Sequence, residues 1–157
     1  MPTHATALFA DRHAAHAAVE QLVQAGFTRD AISVVMTQDT HEREFGPLGA
    51  ERSGVRPARH AGVLGAIVSS LVALAWPGGL ALRAAGPLVA ALMRASPATL
   101  AVSTALTSAG LAEQEARFVD EGLRAGSIAV GVHASVDRVR LAFQLLELSG
   151  GSALQAA

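Results

Sequence analysis

The chain contains no cysteine, no tyrosine and no lysine, and a single tryptophan. Without cysteine there are no disulfides and no thiolate metal ligands, which fits a reducing, cytoplasmic setting. Charge is also scarce: Asp, Glu and Arg make up 16% of residues, against about 25% in an ordinary soluble domain. The net charge is −1 at pH 7, and aromatics are 4%. With neither a basic stripe nor an aromatic platform, the sequence lacks both signatures of nucleic-acid binding. Nucleophile elbow, phosphate loop and dinucleotide fingerprint are missing too, since Gly62 and Gly65 have no third glycine and no preceding strand. A non-enzymatic protein without a cofactor is expected. Met1-Pro2-Thr3-His4-Ala5-Thr6 has no positive or apolar signal region, so no secretory leader is expected.

Apolar residues are abundant, at 51% of 157 residues, and most are Ala, Val and Leu. That length can bury a core of its own. With so few charges, however, some apolar surface is expected to meet another subunit or a lipid.

Residues 1–36 read as strand, helix, strand. Ala5 to Ala10 is short and apolar, Asp11 is a candidate N-cap, and Ala15, Ala18, Val19, Leu22 and Val23 recur at helical spacing. Gly26 ends the helix, and Ile32-Ser33-Val34-Val35-Met36 is rich enough in β-branched residues for a buried strand. Residues 37–60 concentrate charge, glycine and proline, and are expected to form a flexible linker.

Between residues 61 and 111 only Arg83 and Arg94 are charged. Small residues recur every fourth position: Gly62, Ala66 and Ser70; Gly65, Ser69 and Ala73; Ala101, Ala105 and Ala109. Such spacing lets helix backbones approach closely. With Pro77-Gly78-Gly79 as a break, the segment predicts an apolar helical hairpin. Residues 112–149 return to ordinary patterning. They read as a helix carrying Leu111, Glu115, Phe118, Val119, Gly122 and Leu123 on one face, a strand with Ile128, Val130 and Val132, and a final helix capped by Ser135. Residues 150–157 read as a disordered tail. The fold expected is α+β: a small ferredoxin-like or split βαβ sheet with an inserted apolar helical hairpin.

Several of these runs resemble bacterial general stress proteins. Ala7-Leu8-Phe9-Ala10-Asp11, Ala17-Ala18-Val19-Glu20-Gln21-Leu22, Ala25-Gly26-Phe27 and Ile32-Ser33-Val34-Val35 resemble their N-terminal module. Trp76-Pro77-Gly78-Gly79 and Ala84-Ala85-Gly86-Pro87-Leu88 are similar to their glycine-rich hydrophobic segment, and Gly110-Leu111-Ala112-Glu113-Gln114-Glu115-Ala116 continues the likeness. The resemblance implies a stress-associated protein and supplies no active site. The charged linker and Trp76 before the proline depart from the pattern.

Three candidate chemistries remain. His13, His16 and Glu20 share one face of the first helix and are weak metal-ligand candidates, the bland reading being solvated surface histidines. His133, near Asp137, lacks a nucleophile to serve as general base. The apolar middle is the strongest signal. It can be a core within the chain, a wedge in a membrane, or an interface between copies of the chain. Neither apolar stretch is long enough by itself for the roughly 20 residues of a spanning helix. Self-assembly into a homo-oligomer is the favoured expectation, through Gly62, Gly65, Ala66, Ser69, Ala73, Trp76, Ala101 and Ala105. Membrane association is the alternative, and a small-ligand or metal sensor a weaker one.

Overall fold

The computed structural model describes residues 4–46, 62–76, 80–95 and 102–152. The chain begins with β1 (His4–Phe9), α1 (Arg12–Gln24) and β2 (Ile32–Thr37), followed by α2 (Gln38–Phe45). Next come α3 (Gly62–Ser69), β3 (Val72–Trp76) and β4 (Leu80–Ala85), then α4 (Leu88–Ala95) and α5 (Val102–Ser108). It closes with α6 (Glu113–Arg124), β5 (Ile128–His133) and α7 (Val136–Leu148).

One antiparallel sheet, ordered β1-β5-β2-β4-β3, runs through the centre. Both β1 and β2 pair antiparallel with β5, so they run parallel to each other on either side of it, and α1 carries the chain across. Beyond α7 the chain returns to the other edge of β1. There Leu8 and Ser152 exchange two backbone hydrogen bonds of 2.9 Å. On the far side, β4 pairs with β2 and β3 pairs with β4.

The central strands are buried on both faces, because a helical layer covers each. Ala5, Ala7, Phe9, Val34, Val130 and Val132 meet α1, α3 and α7 on one face, where Val19, Leu22, Ile67, Phe143 and Leu146 complete the core. Leu8, Val35, Leu82 and Ala129 meet α4, α5 and α6 on the other, against Leu92, Leu106, Val119 and Leu123. The helices needed for this were written in their periodicity. In α1, Asp11 accepts from the Ala14 amide at 2.9 Å and Gly26 follows the C-cap at φ +97°, which is the expected start and stop.

The middle of the chain differs from the expected helical hairpin. Its first helix, α3, ends at Ser69, and Val72–Trp76 and Leu80–Ala85 form adjacent antiparallel strands. Pro77-Gly78-Gly79 lies outside the described residues, between two strands rather than two helices. Alanine-rich sequence fits either period, and pairing of β4 with β2 decides the outcome. Two further expectations are corrected. Gln38–Phe45, placed in the charged linker, is a helix capped by the Thr37 hydroxyl, which accepts from the Thr40 amide at 3.2 Å. Ser152, placed in the tail, is paired with β1. The remaining linker, residues 47–60, and residues 153–157 lie outside the described residues.

Candidate functional site

The residues nominated for close packing separate into two groups. Gly62, Ala66 and Ser69 on α3 and Ala73 on β3 are exposed, whereas Gly65 on α3 and Ala105 on α5 are buried. Trp76 is the last residue of β3, opposite Leu80, and Ala101 lies outside the described residues. Gly62 does make a close approach, but within the chain: at φ +85°, an added Cβ would lie 2.9 Å from both Glu20 Oε1 and His16 Cε1. The positive φ selects glycine, whereas the two close atoms are side-chain ends that can shift. Arg94 is exposed in the last turn of α4, where a cation suits the helix dipole. Arg83 is half-buried on β4, opposite Met36 and Ala73, and its Nε has no hydrogen-bond partner among the described residues.

The expected histidine cluster on α1 is used structurally. Glu20 Oε1 accepts from the Val63 amide at 3.1 Å, tying the first turn of α3 to α1, with His16 Nε2 3.9 Å away. His13 is exposed. Among the described residues, no three His, Asp or Glu side chains converge as metal ligands.

An open cleft of about 710 Å³ lies between α2 and the end of α6, with Arg43 and Arg124 on its wall. Both guanidinium groups are already engaged. Arg43 donates to the Gly126 carbonyl at 2.6 Å, and Arg124 pairs with Asp120 at 2.8 Å.

Four polar residues, His4, Thr6, Glu115 and His133, lie beneath and beside the α4–α6 layer. His133 does sit on the strand face opposite Val130 and Val132, as its position in the alternation requires, while Asp137 is exposed in the first turn of α7. Its neighbour is His4, directly opposite in the β1–β5 register, with ring centroids 4.7 Å apart and planes tilted by 53°. Burial, then the facing His133 ring, push the His4 pKa below the ordinary imidazole value, and a hydrogen bond to the Ala109 backbone opposes them. Two residues along β1, Thr6 is 2% exposed and its hydroxyl has no partner among the described residues. Glu115 on α6 is 5% exposed, with Oε1 likewise unpartnered. Burial raises its carboxyl pKa from 4.5 to about 7, against the opposing hydrogen bond from the Ala112 amide. The helical face containing Glu115 was legible. The His4–His133 pair required the antiparallel register of β1 with β5, which no local pattern encodes.

No protein family, curated protein or solved structure was found to match the chain.

Proposed function

We propose that this chain is a non-enzymatic protein that associates with copies of itself through the outward face of α3 and β3. One observation carries the reading: Gly62, Ala66, Ser69 and Ser70 are all exposed along α3 and its C-terminal end, Ala73 is exposed on the same side of β3, and none is charged. Uncharged apolar area of this kind favours contact with a matching surface, at about 25 cal/mol per Å² removed from water. The small side chains allow the backbones of two copies to approach closely.

The scaffold is read here as a ferredoxin-like sheet extended by β4 and β3. In support, α1 links β1 to β2 across β5, α7 links β5 to the Ser152 edge of β1, and both helices pack on one face. The stress association rests on the resemblance of the N-terminal and glycine-rich runs. The rival membrane reading has less support. No described helix is long and apolar enough to cross a bilayer, and the eight residues of α3 span about 12 Å of the roughly 30 Å needed.

Two arginines test the proposal, as the double variant Ala66→Arg, Ser69→Arg. Both positions are exposed, so the fold should tolerate them while an apolar contact would not. The variant is expected to sediment as a 16.0 kDa monomer under conditions where the parent chain is larger. An unchanged assembly in the folded variant would refute this interface.

A further inference from the structure

We infer that His4 and His133 form a binding site for a divalent transition-metal ion, a cross-strand imidazole pair whose remaining ligands are water. This site is separate from the α1 histidines singled out by the sequence, and it does not depend on self-assembly.

The geometry carries the argument. The two residues are directly opposed on β1 and β5, so the sheet itself fixes the separation of their side chains. They share the strand face that carries Leu8 and Ala129. Two imidazoles bonded to one ion at about 2.0–2.1 Å per nitrogen, at roughly a right angle, leave their ring centres about 5 Å apart. The observed 4.7 Å lies close to that separation.

The surroundings also match what a metal-bound imidazole requires. The Ala109 backbone carbonyl, at the α5–α6 corner, faces His4 closely enough to raise its proton affinity. A ring N–H committed to a backbone carbonyl leaves the other nitrogen as a lone pair and fixes the ring's orientation, a common outer-shell arrangement. Gly110, at φ +109°, faces the Cδ2–Nε2 edge of the ring, where an added Cβ would lie 3.3–3.5 Å away. His133 is exposed, so solvent and an ion reach the pair without any opening of the fold. On α1, His13 and His16 have no ring contact between them among the described residues, and Glu20, the carboxylate beside His16, already accepts from the Val63 amide.

Neutral nitrogen ligands select copper(II), nickel(II) and zinc(II) over calcium and magnesium, which prefer oxygen. With no third protein ligand among the described residues, affinity is modest and the coordination sphere is open.

The test is calorimetric titration of the untagged, metal-free full chain with nickel(II), repeated with zinc(II), alongside the variants His133→Ala and His13→Ala, His16→Ala. The parent chain is expected to bind one equivalent with a dissociation constant below about 100 µM. His133→Ala, at an exposed position, is expected to keep the far-ultraviolet dichroism of the fold and to weaken binding at least about tenfold. The double α1 variant should bind as the parent does. Absence of saturable binding by the parent, or binding that survives in His133→Ala, would overturn the assignment. So would loss of binding in the α1 variant.

Discussion

At the residue scale, Glu115 makes a signed prediction. Its carboxyl is more easily kept protonated in the folded chain, with a pKa raised from 4.5 to about 7. Below the unfolded value the group is neutral in both states and contributes nothing to pH dependence. As pH rises from 4.5 through 7, the unfolded chain releases its proton first, so stability falls, and the full penalty is present above about pH 8. The gap corresponds to roughly 3 kcal/mol. Glu115→Gln keeps an oxygen to accept from the Ala112 amide and carries no charge. It is expected to stabilise the fold by about 1–3 kcal/mol near pH 8 and to do little near pH 4, measured by urea unfolding across that range. An identical pH profile in the variant would show that Glu115 is not the titrating group. Gly86 makes a second prediction. It sits at φ +95°, and an added Cβ would press into the Ile32 carbonyl oxygen and lie 2.6 Å from Ser33 Cα. The neighbouring Ser33 hydroxyl accepts from the Leu88 amide at 3.1 Å, fixing the start of α4. Gly86→Ala should therefore destabilise by on the order of 3 kcal/mol, and a thermal midpoint unchanged from the parent would contradict this.

At the element scale, legibility followed periodicity. The helices α1, α6 and α7 carried their buried stripes openly, β2 carried a β-branched run, and β5 carried an alternation of Ile128, Val130 and Val132 with smaller or polar residues. The segment that became β3 and β4 did not. Val72-Ala73-Leu74-Ala75-Trp76 alternates large and small residues, but Gly65, Ser69 and Ala73 recur every fourth position and read as a continuing helix; its partner β4 is held in turn by β2, which is distant in sequence. Helix α2 was hidden by composition: Asp39, Glu42, Arg43 and Glu44 suggest a loop, while Thr40, His41 and Phe45 supply its buried side. For the same reason the return of the chain to β1 was missed, since one bridging residue, Ser152, has no pattern. That bridge is testable. The Leu8 amide, donating to the Ser152 carbonyl at 2.9 Å, should be protected from hydrogen exchange and should lose protection in a chain ending at Gly150. The Val130 amide should stay protected in both. A Leu8 amide that exchanges freely in the full chain would remove the second crossover, and with it the ferredoxin-like reading.

At the scale of the whole molecule, the apolar middle serves first as core. Leu82 on β4 is buried against Leu88, Leu92, Val102, Ala105 and Leu106 of the α4–α6 layer, which covers the sheet face opposite α1 and α7. Were the segment all helical, its apolar area would exceed what one small sheet can cover. Building two of the segment's pieces into the sheet enlarges the sheet and reduces the excess. What remains outward of it is narrower: the small-residue side of α3 with Ala73, Val72 on the other face of β3 at 40% exposure, and Met93 at 54% on α4. Among the candidate site residues, the small residues of α3 were legible because they recur every four positions. Which of them face outward depended on α3 docking against α1, through Leu64, Ile67 and Val68. The histidine pair depended on register, a property of the folded sheet. The most direct measurement is the mass of the untagged chain, purified without detergent, by light scattering on a sizing column. The account predicts a discrete soluble species at a multiple of 16.0 kDa. A single species at that mass across the accessible concentration range would contradict self-assembly, as would recovery of the protein only with detergent.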